Sequence, residues 1–396
     1  MPNLNLNIKE NLPILIVCLI LLTIGLITIY NVTNQVYFLR QLIWIIIATL
    51  GLVIVYQISM PVLENIAWYL GIVNFVLLLA VLFFGHGAGA RRWFSFGWIN
   101  FQPSEFAKLS VILMLASYFK NKNLEFNFKK LFVPVAIVIL FTFLIVLEPD
   151  LGTALIFLPI LAVMLFWSGL PISKIFILFS PLLSFICGFS LYLWIPFFIA
   201  LSIIAFRKLT IAGWLIAIIV NIIAGLSSPI IWAHLKEYQK ARIISFLSPW
   251  LDPKGMSWNL IQSRIAVGAG RIWGKGILSG AQQKLTFLPN RHTDFIFSTL
   301  AEQFGLIGSL VVLILYFYLI FQFIKTAVKT HDQFASLVAI GLSTALTYQV
   351  IVNIGMVLGL LPITGIALPF LSYGGSSLLF YFIAIGIILH IKTKSE

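Results

Sequence analysis

The chain has 396 residues, of which 61% are hydrophobic and 9% are charged, and its formal net charge is +13. With a mean hydropathy of +1.07, it has too few polar side chains to cover a water-soluble globule of this size, so that class of protein is excluded. In a membrane protein a positive excess indicates cytoplasmic loops and anionic head groups, so no nucleic-acid partner is expected. We therefore expect an all-α protein, a polytopic bundle of transmembrane helices.

Cutting the chain at polar clusters gives twelve apolar segments as candidate membrane spans, each of which needs roughly 20 residues. The first begins after Lys9, is longer than a signal-peptide core and lacks a small-residue cleavage site, so it is interpreted as a retained span. The predicted spans are residues 12–30, 39–58, 66–84, 104–119, 131–147, 153–170, 175–191, 196–206, 209–226, 295–324, 334–358 and 365–391. Since residues 196–206 form the shortest segment, ten spans is the alternative count.

Basic residues in alternate loops predict the orientation of these spans, because cytoplasmic loops carry the excess of Lys and Arg. When the N-terminus is placed inside, one large set of basic residues falls in the cytoplasm. This set is Lys9, Lys120, Lys122, Lys129, Lys130, Lys174, Arg207, Lys208, Lys325, Lys329, Lys392 and Lys394. Both termini are therefore expected on the cytoplasmic side.

A second set of basic residues falls on the outer side, and most of its members lie in a long segment, residues 229–294. The set is Arg91, Arg92, Lys236, Lys240, Arg242, Lys254, Arg264, Arg271, Lys275, Lys284 and Arg291. A long solvated loop tolerates single charges on this side, which is the simplest interpretation of any one of them. As a group they predict a site for an anionic ligand. We interpret residues 1–396 as one membrane domain with a large extracytoplasmic loop between Pro229 and Asp294.

Ionisable side chains within or at the ends of spans are costly in lipid, so each is a candidate functional residue. In residues 102–108 (QPSEFAK), Glu105 and Lys108 stand three apart and share one helical face. They can form a pair that neutralises itself in the bundle interior. Alternatively, they line a polar cavity together with Glu148 and Asp150.

Residues 148–153 (EPDLGT) predict a very short outer turn, with two carboxylates around a helix-breaking proline. Asp150 can cap the next helix by accepting from its free amides. In the alternative interpretation, Glu148 and Asp150 lie close to Lys108 and tune one another's protonation.

Asp252 is the strongest catalytic candidate and lies in the outer-loop segment 248–255 (SPWLDPKG). An Asp-Pro-Lys-Gly string is by itself an ordinary turn. Basic residues flank it on both sides, among them Lys240 and Arg264, so an anionic leaving group could lie beside a carboxylate base.

Residues 288–295 (LPNRHTDF) place Arg291, His292 and Asp294 at one membrane boundary. A Ser/His/Asp hydrolase also needs an activated serine, and the sequence contains no Gly-x-Ser-x-Gly turn. Metal coordination is the alternative use of His292 and Asp294. Residues 372–377 (SYGGSS) lack the Walker lysine, so these small residues favour close helix packing over a phosphate loop.

Several strings, in the same order as in the family, resemble RodA/FtsW proteins, also called SEDS proteins, which are bacterial cell-wall polymerases. The strings are residues 89–93 (GARRW), 102–108 (QPSEFAK), 148–153 (EPDLGT), 252–255 (DPKG), 274–276 (GKG), 292–297 (HTDFIF) and 371–377 (LSYGGSS). Residues 287–294 and 353–362 are more similar to RodA than to FtsW. Two features depart from the family pattern: Ala367 replaces a usual proline of RodA-like members, and residues 174–229 are long for a ten-span layout.

The resemblance implies a peptidoglycan glycosyltransferase in the bacterial cytoplasmic (inner) membrane. Such an enzyme joins lipid II units on the outer face, releases undecaprenyl diphosphate and serves cell elongation. The implied partners are a class B penicillin-binding protein transpeptidase, the elongation machinery and membrane lipids. The alternatives are a lipid II flippase, a non-catalytic scaffold and the FtsW-type division polymerase.

The resemblance also implies roles for single residues. Asp252 occupies the position of the family's essential outer-loop aspartate, and we expect it to act as general base on the acceptor hydroxyl. A divalent cation, Mg²⁺ or Mn²⁺, could bridge Asp252 and the diphosphate, and the basic side chains would neutralise that leaving group. The expected substrate-binding residues are Arg91, Glu105, Lys108, Glu148, Asp150, Lys254, Arg264, Lys275, Arg291, His292 and Asp294.

Overall fold

The structure is a computed structural model, and it describes residues 8–33, 35–87, 91–97, 99–120, 128–235, 237–251, 255, 257–276 and 292–394. The described part is helical apart from short extended segments and connecting loops, which confirms the predicted all-α class. Of the predicted site residues, Asp252, Lys254 and Arg291 lie outside the described residues.

Two short strands interrupt the series of helices. Strand β1 (Phe94–Phe96) pairs antiparallel with β2 (Ile99–Phe101), with Phe94 opposite Phe101. The helices of the described part are α1 (Ile8–Val32), α2 (Gln35–Tyr56), α3 (Met60–Phe84), α4 (Pro103–Phe119), α5 (Phe128–Leu147), α6 (Leu151–Leu155), α7 (Phe157–Trp167), α8 (Ile172–Cys187), α9 (Leu191–Lys208), α10 (Ile211–His234), α11 (Glu237–Leu247), α12 (Trp258–Gly270), α13 (Ile296–Lys329), α14 (Gln333–Leu358) and α15 (Gly375–Lys394).

Each predicted span coincides with a described helix, except that α6 and α7 together fill one span. Nine of the described helices are long and apolar enough to cross a membrane, and two further apolar stretches, Leu151–Trp167 and Ile172–Cys187, are shorter. The shortest predicted span, residues 196–206, lies within α9, which accommodates Pro196 near its start. These helices confirm the polytopic bundle.

The last span begins at Gly375, whereas the sequence predicted a start at residue 365. Helix α14 ends at Gly359, which has a left-handed φ of 76°, and Gly365 has a φ of 73°. Left-handed glycines end helices even where the composition is apolar. Residues 359–374 therefore form a loop that returns along the end of the bundle.

The predicted outer loop contains two helices, α11 and α12, and α10 continues through Pro229 to His234. Helix α12 packs against α13 and α14. The loop therefore includes a helix that is attached to the bundle. Its assignment as an extracytoplasmic catalytic loop stays a prediction.

One large hydrophobic core lies among α1–α7 and α13–α15. Small residues permit close helix contacts there: a Cβ added at Gly386 of α15 would lie 2.8 Å from the Leu52 carbonyl oxygen of α2, as is usual between membrane helices. Large apolar side chains cover the outside, and Phe83, for example, is 72% exposed. Such a surface is expected to face lipid.

Helices α8–α10 pack on one another around a small apolar cluster of their own, and α8 also contacts the main core through Ile175, Leu178 and Phe179. Polar side chains join the three helices. The Ser184 hydroxyl donates to the Asn221 carbonyl oxygen at 2.7 Å, and Asn221 Nδ2 donates to Ser180 Oγ at 2.9 Å. The Trp194 indole of α9 donates to Ser184 Oγ at 2.8 Å. Hydrogen bonds between helices stabilise association where lipid offers no hydrophobic driving force.

Candidate functional site

A polar cavity of about 310 Å³ lies at the end of the bundle where α4 and α15 begin and the α5–α6 turn meets the α14–α15 loop. Its charged lining residues are Arg92, Glu105, Asp150 and Asp294. A guanidinium beside several carboxyl groups can hold a ligand that carries both an anionic group and hydroxyl groups. The cavity is therefore the candidate substrate site.

Glu105 and Lys108 form the ion pair that their spacing predicted. Lys108 Nζ lies 2.7 Å from Glu105 Oε2, donates to Gln349 Oε1 at 3.2 Å and lies 4.3 Å from the ring centroid of Phe380. Lys108 is fully buried and lies behind the cavity, whereas Glu105 lines it. Both interpretations of the sequence therefore apply: Glu105 and Lys108 neutralise each other's charge, and Glu105 also lines the polar cavity.

Asp150 caps α6 and also lines the cavity. Its carboxylate accepts from the Thr153 amide at 3.3 Å and from the Thr153 hydroxyl at 3.0 Å. Gln102 Nε2 donates to the same group at 3.1 Å. Burial raises the pKa of Asp150, whereas the positive charge of Arg92 and the hydrogen bonds from Thr153 oppose that rise. The capping role predicted for Asp150 is thus combined with a place on the cavity wall.

Glu148 is fully buried, and it does not belong to the described lining of the cavity. Neither of its carboxyl oxygens has a hydrogen-bond partner among the described residues. Burial and the nearby Asp150 carboxylate raise the pKa of Glu148 to about 9, although Arg92 opposes the rise. The raised pKa favours the neutral form of Glu148, whose side chain is buried outside the cavity lining.

Arg92 is the cavity's cation, whereas the sequence had favoured Arg91. Arg92 Nε donates to the Glu148 carbonyl oxygen at 2.9 Å, and Nη2 donates to the Pro149 carbonyl oxygen. Arg91 is exposed and donates to the Leu82 carbonyl oxygen at the end of α3, at 3.2 Å. Adjacent side chains of an extended segment point to opposite sides, so only one of these arginines can face the cavity.

Asp294 lines the cavity and lies just before the start of α13. Burial raises the pKa of Asp294 to about 6; a hydrogen bond from Thr293 opposes the rise and the Asp150 charge adds to it. The His292 ring lies 5.0 Å from the Tyr37 ring and 5.8 Å from the Tyr373 ring, measured between centroids. His292 therefore packs in an aromatic cluster beside the cavity.

Two further predicted cations lie away from the described cavity wall. Arg264 is an exposed residue of α12. Lys275 Nζ lies 3.5 Å from Glu302 Oε1, an acid of α13 that the sequence reasoning did not select. Lys275 is thus held by a carboxylate, and nothing in the described contacts places it on the cavity wall.

Backbone contacts made by small polar side chains fix the walls of the cavity. Asn353 Nδ2 donates to the Asp294 carbonyl oxygen at 2.9 Å and to the Ile366 carbonyl oxygen at 2.7 Å. A Cβ added at Gly375 would lie 1.9 Å from the Trp44 ring, so only glycine fits there. This agrees with the packing interpretation of residues 372–377. Asn353 is a polar residue within the apolar helix α14, and this position is the sequence signal that could have identified it as a site residue.

The described residues contain no group of three or more His, Cys, Asp and Glu side chains that could hold a metal ion. Asp252, the predicted partner of a bridging Mg²⁺ or Mn²⁺, lies outside those residues. The cation bridge therefore stays a prediction.

Comparison with known proteins connects this arrangement to one family. The family described as "Cell cycle protein", which groups FtsW, RodA and SpoVE, matches residues 11–200 and 193–396. The peptidoglycan glycosyltransferase MrdB of Escherichia coli (strain K12) is 36% identical over 342 residues, which cover 86% of this chain and 81% of MrdB. The peptidoglycan glycosyltransferase RodA of Treponema pallidum is 35% identical over 353 residues, which cover 81% of this chain and 82% of RodA.

A solved structure has a similar fold. It is described as "Structural coordination of polymerization and crosslinking by a peptidoglycan synthase complex", and one of its chains superposes with a TM-score of 0.75. That chain is 27% identical to this one, and the alignment covers 97% of both. The similarity therefore extends over nearly the whole bundle and is not confined to the residues around the cavity.

Proposed function

Because the chain belongs to the family that groups FtsW, RodA and SpoVE, we propose that it polymerises lipid II into glycan strands on the outer face of the bacterial cytoplasmic membrane. It is a peptidoglycan glycosyltransferase with a multi-pass fold, as its similarity to MrdB and RodA and its apolar helices indicate. The observation that carries the proposal is the polar cavity at the bundle's end, where Arg92 lies beside Asp150 and Asp294.

Asp252 is proposed as the general base on the acceptor sugar hydroxyl. A sugar hydroxyl is a weak nucleophile at neutral pH, and a positioned base contributes roughly 100-fold to 10,000-fold in rate. The family resemblance and the basic residues that flank Asp252 in the sequence support this role. The base takes the hydroxyl proton as the new glycosidic bond forms and the bond to the diphosphate breaks.

The leaving diphosphate requires fixed cations, since charge gathers on it as the bond breaks. Arg92 is the cation on the described cavity wall, and its planar fork suits phosphate oxygens. The outer-loop residues Lys254, Arg264, Lys275 and Arg291 are proposed to act with it. The carboxyl groups of Glu105, Asp150 and Asp294 would accept hydrogen bonds from sugar hydroxyls.

The proposal includes the enzyme's setting in the cell. Both termini lie in the cytoplasm, the released product is undecaprenyl diphosphate, and a class B penicillin-binding protein crosslinks the strands during elongation. The fold similarity to a chain of a peptidoglycan synthase complex supports such a partner.

Purified protein and lipid II provide the first test. We expect Asp252→Asn to bind lipid II normally and to lose at least about 100-fold in polymerisation rate, because the amide cannot accept the proton. Asp332→Asn is the matched control: Asp332 caps α14 through the Phe334 amide, and asparagine caps equally well. Gel separation of glycan products and a lipid II binding assay give the two readouts.

Three results would oppose the proposal. Polymer formation by folded Asp252→Asn at the wild-type rate removes the base from this position. A wild-type protein that moves labelled lipid II across vesicle membranes without making polymer is a flippase. A protein that does neither and tolerates loss of Asp252 is a scaffold.

A further inference from the structure

Helix α13 is interrupted at Gly305, whose φ of 66° and ψ of −162° are not helical. An interruption leaves carbonyl groups on one side and amides on the other without their partners in the helix. Such groups are tolerated at membrane depth only when protein satisfies them. The break therefore requires a second segment of the chain beside it.

Residues 271–276, which follow α12, supply these partners. The Lys275 amide donates to the Glu302 carbonyl oxygen at 2.9 Å, and the Gly276 amide donates to the Gln303 carbonyl oxygen at 3.0 Å. In the other direction, the Leu306 amide donates to the Arg271 carbonyl oxygen at 2.9 Å. The segment is thus bonded to both halves of α13.

Glycines bring the two backbones into direct contact. A Cβ added at Gly270 would lie 1.9 Å from the Ala301 carbonyl oxygen, and one added at Gly274 would lie 2.1 Å from the Gln303 carbonyl oxygen. No side chain can stand between them. The position of residues 271–276 therefore follows that of α13 closely.

Glu302 lies at this junction and is 1% exposed. Its Oε1 lies 3.5 Å from Lys275 Nζ, and its Oε2 has no hydrogen-bond partner among the described residues. A buried carboxylate is strongly destabilised when its counter-charge is removed, and Lys275 is the basic side chain that pairs with Glu302 among the described residues. The Glu302 side chain therefore adds an ion pair with Lys275 to the backbone hydrogen bonds that hold residues 271–276 in the break.

Helix α12 transmits this position towards Asp252. Ser263 Oγ donates to the Val357 carbonyl oxygen of α14 at 2.8 Å, and α12 ends at Gly270, against α13. At the other end, Ser257 Oγ donates to the Ser245 carbonyl oxygen of α11 at 3.4 Å. Asp252 lies in the sequence between α11 and α12, shortly before α12 begins at Trp258.

We propose that Glu302 is a positioning residue for glycosyl transfer. Together with the backbone hydrogen bonds, its ion pair with Lys275 fixes residues 271–276 in the break of α13. This sets the position of α12, the helix that follows Asp252 in the sequence. The inference rests on the proposed function, because it assigns Glu302 to the same outer-loop base.

The experiment compares full-length Glu302→Gln with wild type in polymerisation of purified lipid II. Glutamine keeps the shape and loses the charge that holds Lys275. We expect kcat to fall by about 100-fold, because small displacements of reacting groups can lower the rate by that much. The KM for lipid II and the thermal unfolding midpoint should change little. Glu64→Gln is the matched control, because Glu64 pairs with Lys120 at 2.7 Å elsewhere in the bundle; its kcat should stay at the wild-type value.

Substitutions at Lys275 separate positioning from direct binding. Lys275→Arg should keep most of the polymerisation activity, whereas Lys275→Met should lose it. The double variant, Glu302→Gln with Lys275→Met, should lose no more activity than either single variant. A wild-type kcat for Glu302→Gln, or losses that multiply in the double variant, overturns the inference. If Glu302→Gln does not fold, Glu302→Asp replaces it, since one methylene less weakens the hold on Lys275, and the same outcomes apply. Absence of polymer from the wild type contradicts instead the proposed function.

Discussion

The guanidinium of Arg92 binds the backbone of the α5–α6 turn and lines the cavity at the same time. The turn that it holds carries Asp150, whose carboxylate caps α6. A guanidinium presents donors in a rigid fork, so it can grip a turn and still face a phosphate, whereas an ammonium is a point charge. At the scale of single residues, the shape of the cavity therefore depends on Arg92.

Substitution of Arg92 should expose this dependence. We expect Arg92→Ala to lower kcat/KM for lipid II by about 10-fold to 100-fold, since hydrogen bonds from a charged donor contribute roughly 1.5–3 kcal/mol. Arg92→Lys, which keeps the charge and loses the fork, should fall between alanine and wild type. Steady-state polymerisation with lipid II gives the comparison.

Arg91→Ala is the matched partner of that test. Arg91 is exposed and contacts only carbonyls at the end of α3 among the described residues, so a loss of less than about twofold is expected. Equal losses of kcat/KM in Arg91→Ala and Arg92→Ala would contradict the assignment of Arg92 alone to the cavity.

The sequence predicts best those contacts that a side chain makes within or next to its own helix. The spacing of Glu105 and Lys108 predicted their ion pair, and the position of Asp150 before α6 predicted its cap. The choice between Arg91 and Arg92 was beyond it, because the facing side of an extended segment depends on what packs against it.

At the scale of secondary-structure elements, α8–α10 differ from the rest of the bundle. They have their own small apolar cluster, and only 11% of the apolar stretch of α9 is buried inside the protein. Asn221 supplies their interhelical hydrogen bond to Ser180. Since the cavity residues lie on other elements, this unit can be altered without touching the candidate site.

We expect Asn221→Ala to lower the free energy of unfolding by about 0.6 kcal/mol, the average for such membrane hydrogen bonds, and to leave polymerisation unchanged. Ser227→Ala is the control, because Ser227 donates only within its own helix, to the Ala224 carbonyl oxygen. Equilibrium unfolding in a denaturing detergent measures both variants. A large loss of activity in stable Asn221→Ala would mean that α8–α10 take part in catalysis.

The break in α13 at Gly305 is a feature that the apolar pattern of the sequence does not predict. Residues 295–324 were predicted as one uninterrupted span, and an isolated glycine is tolerated inside many helices. Only the approach of residues 271–276 shows why Gly305 leaves the helical conformation. Local sequence cannot report a partner that lies thirty positions away on another element.

At the scale of the whole molecule, the orientation in the membrane decides whether the cavity can meet lipid II on the outer face. The charge pattern places Lys325, Lys329 and both termini inside, and residues 271–276 outside. The cavity and the start of α13 lie at the same end of the bundle. The predicted orientation therefore places the candidate site on the outer side, and labelling can test it.

Single cysteines report this orientation. We expect a membrane-impermeant maleimide to label Trp250→Cys in sealed cells, because Trp250 is 75% exposed and lies in the predicted outer loop between α11 and α12. His331→Cys, at the exposed α13–α14 turn, should react only after the membrane is permeabilised. Cys187 is replaced by serine in both variants, and Cys18 is buried. The reverse labelling pattern would place the cavity in the cytoplasm.

The sequence by itself determined the all-α membrane bundle, the approximate positions of most of its helices, the Glu105–Lys108 pair and the cap at Asp150, because hydropathy and helical periodicity are local properties. Tertiary structure alone decided that Arg92 faces the cavity, that Glu148 lies behind its wall and that Glu302 holds the end of the outer loop. These residues are distant from their partners along the chain or ambiguous within an extended segment. Their contacts exist only once the helices have packed.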